Sequence, residues 1–344
     1  MNPLISSMML SNLALGLIIA ATSFHWFLAW VGLELNTLAM IPILAKQHHP
    51  RATEAATKYF IIQATASSII LFSITLNAWH TGIWDINQLS LPLASTMLTI
   101  ALTMKLGLAP MHFWLPEVMQ GTTLSSALII TTWQKLPPMT LLFLTSHNLP
   151  TPILLTLALT STLIGGWSGL NQTQVRKIMA YSSIAHLGWM IAILSLSQNL
   201  LLFTLLIYIL MTSSMFLILI STSSKSSKDL GQLWSTSPTI TSISLITLIS
   251  LGGLPPLIGF LPKWLILKEL TVYNLTPLAI AIALSSLLSL MFYMRLTYTT
   301  TLIISPNTAS SMMKWRFKLI KPLNITPIIT TLLISTPLLP LISP

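Results

Sequence analysis

The sequence predicts an all-α polytopic membrane protein with a single domain over 1–344, and three observations carry that prediction. Of 344 residues, 53% are hydrophobic and only 6% charged, against roughly 25% charged in ordinary soluble domains. Apolar runs of about 20 residues, enough to cross a bilayer as a helix, follow one another nearly without pause. Two of the runs are interrupted by one shared pattern: GLAPMHFWLPE over 107–117 recurs as GLPPLIGFLPK over 253–263, both reading G-L-x-P-x-x-x-aromatic-L-P-charge. Gly and Pro free backbone groups that hydrocarbon cannot satisfy, so such breaks survive only where protein or a wet cavity receives them.

Taken in order, the runs define about eleven transmembrane helices. The first, 4–21, lies in an N-terminus that begins MNPLISSMML, with neither the basic region of a signal peptide nor an Arg-rich transit sequence, and is expected to be retained. Spans at 24–45 and 57–79 follow, the former carrying Glu34 within WVGLELN. The fourth, 93–120, contains the first break at Gly107 and Pro110 and is long enough for two half-helices. The fifth, 123–146, holds Lys135 in TTWQKLPP. Spans at 151–170, 176–196 and 199–222 come next, with His186 in YSSIAHLGWM. The ninth, 239–272, contains the second break at Gly252, Gly253, Pro255 and Pro256, and spans at 275–298 and 323–342 complete the chain.

Alternate connections carry the positive charge. Lys46, Arg51, Lys58, Arg176, Lys177, Lys225, Lys228, Lys314, Arg316, Lys318 and Lys321 fall on one side, with little beyond Lys268 on the other. The basic side is expected to face the compartment of synthesis, with the N-terminus on it and the C-terminus opposite. An odd number of crossings separates the fourth and ninth spans, so the discontinuous helices at about 93–120 and 239–272 form two inverted repeats, an arrangement that places a binding or conduction site near the midplane.

In so apolar a chain, a charge within a span marks function, because each costs ~2.5–3.5 kcal/mol on insertion scales. The candidates are Glu34, Lys105, Lys135 and Lys263, with His186 as the one histidine deep in a span. A desolvated amine protonates less readily and a neighbouring carboxylate restores its proton affinity, so a Glu34–Lys105 pair that opens and closes would load and release protons. Lys105 falls in the last turn before its break, where free carbonyls favour a cation, whereas Lys263 falls after its own, where the helix dipole opposes one. Structural alternatives stand beside these roles: a fixed ion pair at Glu34 and Lys105, snorkelling of Lys135 from a proline kink, and a satisfied interior imidazole at His186. His112 lies within the first break, and Glu117 is expected near the basic surface.

Net charge +10 reports membrane orientation rather than a nucleic-acid partner, since the basic residues sit in loops instead of along a solvated stripe. The absence of cysteine excludes thiolate-held iron–sulfur clusters in this chain. His48 and His49 lack the carboxylate or thiol spacing of a metal site, and neither a dinucleotide nor a phosphate-loop motif occurs. No cofactor, metal or redox catalytic residue is therefore expected here, and energy must come from an ion gradient or a partner.

WVGLELN at 30–36, MKLGLAPMHFWLPEVMQG at 104–121, RKIMAYSSIAHLGWM at 176–190 and LGGLPPLIGFLPKW at 251–264 together resemble the antiporter-like membrane subunits of respiratory complex I, over essentially the whole chain. The resemblance implies a core subunit of the proton-pumping NADH:ubiquinone oxidoreductase, with a proton path driven by redox chemistry in other subunits. There Glu34 and Lys105 would form the ion pair, Lys135 the bridge and Lys263 the lysine of the second broken helix. It implies FMN, iron–sulfur clusters, NADH and ubiquinone in other subunits, and as partners the complex's other membrane subunits, neighbouring antiporter-like subunits and lipids, cardiolipin among them. The location implied is the mitochondrial inner membrane, basic loops toward the matrix and C-terminus toward the intermembrane space. The chain departs from longer relatives in lacking N-terminal helices, since Glu34 lies in its second span, a truncation shared by animal members. A free-standing cation/proton antiporter and a structural membrane subunit remain the alternative functions.

Overall fold

A computed structural model of the chain describes residues 3–302 except Pro256. The span expected at 323–342, the basic residues Lys314, Arg316, Lys318 and Lys321, and the break residue Pro256 lie outside the described residues. The described chain is helical throughout: α1 Pro3–Thr22, α2 Trp26–Leu44, α3 Pro50–Thr81, α4 Pro92–Leu106, α5 Trp114–Gly121, α6 Leu124–Thr131, α7 Leu136–Thr145, α8 Thr151–Gly169, α9 Val175–Leu194, α10 Gln198–Thr222, α11 Ser227–Gly231, α12 Leu233–Thr236, α13 Pro238–Gly252, α14 Phe260–Val272 and α15 Thr276–Leu302. Among these, seven helices are long and apolar enough to cross a membrane: α1, α2 with the short 3-10 turn that follows it, α3, α8, α9, α10 and α15.

Both expected breaks are present. α4 and α13 each have 15 residues, begin with a proline in the first turn, and end at a glycine with φ 78° and ψ 40°, Gly107 and Gly253. The left-handed conformation suits glycine because it has no Cβ to meet the following carbonyl. Second halves begin at Trp114 and Phe260, so start, cap and restart are offset by the same interval as the sequence repeat.

Three features differ from the sequence expectation. The fifth span is not continuous: a 3-10 turn, Trp133–Lys135, separates α6 from α7. Pro137 and Pro138 have no N–H to donate, and the turn tightens so that Lys135 N–H bonds Thr132 O at 3.4 Å, one residue nearer than an α-helix would take. α3 starts at Pro50, not near 57, with His49 Nδ1 accepting from Arg51 N–H at the N-terminus; Arg51 and Lys58 are therefore helical, not loop, residues. The basic loop after α10 folds into α11 and α12, opened by a reciprocal Ser226–Asp229 cap.

Connections gather at two ends. At one, Trp26 N–H bonds Trp84 O at 3.0 Å, Asn148 Nδ2 donates to Asn87 O at 2.6 Å, and Gln198 Nε2 donates to Ser146 Oγ at 2.8 Å. At the other, Val175 N–H bonds Lys225 O at 3.2 Å, Arg176 donates to Thr122 O, and Arg295 donates to the carbonyls of Leu170 and Gln172.

The interior has two large apolar clusters, one toward each end. The first gathers Ala55, Tyr59, Val118, Met179 and Phe216; the second gathers Leu33, Ile70, Leu102, Leu142 and Met190. Between them, the same helices carry polar groups: Glu34 and Asn36 on α2, Gln63 and Ser67 on α3, Lys105 at the end of α4, Lys135 between α6 and α7, His186 on α9, and Lys263 on α14. This layer is the consequence of helical stripes that are apolar at both ends and polar at one depth.

Candidate functional site: a polar layer between two broken helices

Lys105 and Lys135 are each 5% exposed, and both line one cavity with Asn36, Tyr59, Gln63 and Gln134. Lys105 ends α4, so its ammonium belongs to a helix terminus whose last carbonyls carry partial negative charge. Its own carbonyl accepts from Gln63 Nε2 at 3.3 Å, and the indole N–H of Trp114 reaches back across the break to Met104 O at 3.3 Å. These bonds satisfy carbonyls that the interrupted helix would otherwise leave bare.

Glu34 faces the same region. Its charge acts on both Lys105 and Tyr59, yet Glu34 Oε2 and Lys105 Nζ are each buried without a hydrogen-bond partner, as are both amide atoms of Asn36. The pair anticipated from sequence is thus near but open. Unpaired polar atoms of this kind, grouped in a polar cavity, are the setting in which buried water bridges protein groups.

Lys135 does not snorkel to an interface. Its Nζ donates to Tyr208 Oη at 2.9 Å and lies 4.9 Å from the centre of that ring. Tyr208 Oη in turn donates to Thr131 O at 2.9 Å, the carbonyl released when the 3-10 turn diverts the Lys135 N–H to Thr132. Tyr208 was not singled out in the sequence, where a tyrosine among Ile, Leu and Met reads as core; its only signal is a hydroxyl at the depth of the charged residues.

A second cavity lies beyond Tyr208, lined by Tyr208, His186, Lys263, Thr204, Trp189 and Ser250. The His186 and Tyr208 rings are 5.7 Å apart between centres. Lys263 was expected to suffer the unfavourable end of its own half-helix. Instead its Nζ reaches back to Gly252 O at 2.9 Å, so the ammonium sits at the favourable C-terminal end of α13. Both breaks therefore receive a side-chain donor from their second half, an indole in one and an ammonium in the other.

The remaining candidates line neither of the two cavities. His112 is buried within the first break, its Nδ1 3.2 Å from Pro110 O. Glu117 is half-exposed at the basic end and pairs with Lys58 at 2.7 Å, which also holds Glu54 at 2.6 Å. Among the described residues, no group of three or more His, Cys, Asp or Glu converges as a metal site.

Lys105 and Lys135 line one cavity and His186 and Lys263 the other, with Glu34 half-buried on α2 outside both linings. Residues 23–289 match the family model described as NADH:quinone oxidoreductase/Mrp antiporter, TM, and residues 290–344 match NADH dehydrogenase subunit 2 C-terminus. The chain is 58% identical over 316 residues to NADH-ubiquinone oxidoreductase chain 2 of Xenopus laevis, covering 92% of each. It is 53% identical over 343 residues to the protein of that name from Varanus baritji, covering 99% of each. A chain of respiratory complex I from Thermus thermophilus superposes with a TM-score of 0.87 at 27% identity, over 99% of this chain and 80% of that one. A chain of the Mrp complex from a Dietzia species shares the fold, with a TM-score of 0.77 at 18% identity over 85% of this chain and 59% of that one. The chain therefore belongs to the NADH:quinone oxidoreductase/Mrp antiporter family of membrane proteins, in its branch of animal NADH-ubiquinone oxidoreductase chain 2, the proton-translocating membrane subunits of respiratory complex I.

Proposed function

We propose that Glu34, Lys105, Lys135, His186 and Lys263 form the proton path of this subunit, and that redox chemistry in other subunits drives it. The observation that carries the reading is the open Glu34–Lys105 pair: Lys105 is buried and lines a polar cavity, Glu34 is half-buried, and neither Glu34 Oε2 nor Lys105 Nζ, both shielded from solvent, is hydrogen-bonded. A purely structural ion pair stabilises only when its charges close on each other and their remaining atoms are satisfied. When the carboxylate closes on the ammonium the proton stays on Lys105; when it withdraws, the proton passes through the first cavity toward Lys135. Delivering a proton against the membrane potential costs about 2.3 kcal/mol per 100 mV, so the motion of Glu34 must be coupled to the distant reaction.

The halves α1–α7 and α8–α15 are inverted repeats. Support comes from the shared interval and glycine geometry of the two breaks, together with the connections, which point α4–α5 and α13–α14 in opposite directions. With each broken pair counted as one crossing, and the expected span at 323–342 added, the chain crosses about eleven times. The basic end faces the matrix of the mitochondrion and the C-terminus faces the intermembrane space, by the distribution of Lys and Arg. FMN, iron–sulfur clusters, NADH and ubiquinone act in other subunits. The partners are the other membrane subunits, antiporter-like neighbours among them, and lipids including cardiolipin.

The test is Lys105→Met in the assembled complex reconstituted into liposomes. Assembly is expected to persist while coupled proton uptake falls. Normal uptake with normal electron transfer would remove Lys105 from the path. Exchange of Na⁺ or K⁺ for protons by the purified chain alone would favour a free-standing antiporter. Loss of assembly in proportion to activity, in both Glu34→Gln and Lys105→Met, would favour a structural role.

A further inference from the structure

We propose that the Tyr208 phenol is the switchable link between the two cavities: it relays a proton from Lys135 toward His186 only when its hydroxyl turns away from the Thr131 carbonyl. This rests on the proton-path reading and extends it by identifying the connection and what closes it.

Lys135 lines the first cavity, whereas Tyr208 lines the second with His186 and Lys263. A hydrogen bond joins the two linings, Lys135 Nζ donating to Tyr208 Oη at 2.9 Å. A phenol has one proton to give, and here it is directed at Thr131 O, also at 2.9 Å. A backbone amide carbonyl accepts a hydrogen bond but does not carry a proton onward. In the described conformation the phenol proton is therefore committed to Thr131, and the Ser183 hydroxyl beside the phenol gives its own proton to Ala180 O at 2.7 Å.

The closing acceptor is a product of the local sequence. In a regular α-helix the Lys135 N–H would occupy Thr131 O. The proline pair at 137 and 138 imposes the 3-10 turn, the Lys135 N–H moves to Thr132 O, and the vacated carbonyl holds the phenol. The segment that carries the lysine thus also carries the acceptor that blocks its exit.

Turning the hydroxyl about its C–O bond exchanges that carbonyl for a water or the His186 imidazole on the second-cavity side, where the two rings lie 5.7 Å apart between centres at a tilt of 49°. One N–H bond of the Lys135 ammonium then breaks as a new O–H bond forms on the phenol, and the phenol's original O–H bond breaks as its proton passes to the water or imidazole. The lysine regains its lone pair, the phenol is unchanged, and one positive charge has moved from the first cavity to the second. No electron is transferred. A phenylalanine would supply the same ring to Lys135 and His186 but could neither accept nor donate.

The test compares Tyr208→Phe, Tyr208→His and Lys105→Met in the assembled complex in liposomes, with uptake scaled to assembled complex. The relay predicts that Tyr208→Phe lowers coupled proton uptake by about two orders of magnitude or more, changes the solvent deuterium isotope effect, and is partly restored by Tyr208→His, which keeps a donor and an acceptor. If Tyr208→Phe fails to assemble, Tyr208→His decides: assembly with restored uptake supports the link, and assembly with uptake still lost overturns it. Normal uptake in Tyr208→Phe beside lost uptake in Lys105→Met overturns the link and leaves the path standing. Normal uptake in both overturns the path and the link together.

Discussion

Replacing Gly107 and Gly253 with alanine, one at a time, separates backbone strain from displacement of a charge. Both glycines have φ 78°, so either alanine takes a left-handed conformation at a cost of about 1–2 kcal/mol. Their surroundings differ. A Cβ at Gly107 would lie 3.2 Å from the Trp114 ring and 3.3 Å from Leu115, contacts that a small shift of the ring relieves. A Cβ at Gly253 would lie 2.8 Å from Lys263 Nζ and 3.0 Å from two of its side-chain carbons. The lysine must move, and its 2.9 Å bond to Gly252 O is lost. A hydrogen bond to a charged group contributes about 1.5–3 kcal/mol, which brings the cost at Gly253 to about 2.5–5 kcal/mol. Native electrophoresis measures assembled complex, and proton uptake in liposomes is divided by that amount. Gly107→Ala is expected to lower assembly modestly with near-normal uptake per complex, and Gly253→Ala to lower uptake per complex as well. Equal uptake per complex in the two variants would refute the reasoning, because it would mean that the position of the Lys263 ammonium does not matter.

Two further outcomes follow from packing and capping. Gly188→Ala would place a methyl group against Ser161 Oγ, 2.6 Å from Thr162 Cγ2 and 2.9 Å from Ala158 O; overpacking of the α8–α9 contact should cost about 1–3 kcal/mol and lower the thermal stability of the assembled complex. The Asp229 carboxyl is pushed up by burial but held below its usual range by hydrogen bonds from the Ser226 and Lys225 backbone and the Ser226 hydroxyl. Its stabilisation of the loop after α10 is therefore present above the ordinary aspartate range and lost as pH falls through the lowered value. Hydrogen exchange at α11 should rise on acidification in the wild type, and Asp229→Asn should raise it at neutral pH and flatten the dependence; an unchanged profile in the variant would rule this out.

The two breaks were legible because Gly and Pro act through the backbone, and their repetition at a fixed interval survives in the sequence. The charged residues were legible because apolar spans make each one conspicuous. What could not be read was distance. Whether Glu34 touches Lys105 depends on how α2 and α4 pack, and the structure leaves the pair open. The proline pair at 137 and 138 was visible as a kink, but the resulting transfer of a hydrogen bond from Thr131 to Thr132 needs the turn itself. Tyr208 was hidden for a chemical reason: its hydroxyl is one polar atom on a large apolar ring, and only the neighbouring Lys135 gives it meaning. Hydropathy placed the start of α3 too late, because a helix can continue past the bilayer into charged sequence, as it does from Pro50 to Lys58.

The two apolar clusters that flank the polar layer have a consequence for insulation. On the proposed path, a proton in the layer would be confined between packed side chains toward either end, so charge would spread more readily along the layer than out of it. A void in either cluster would do more than weaken the fold. It would admit water between the layer and one surface and let protons leak back down the gradient. Tight packing around Phe216 at one end and Leu102 at the other thus bears on coupling efficiency: a leak would be felt first as heat and lost voltage, while the complex was still assembled and still oxidising its substrate.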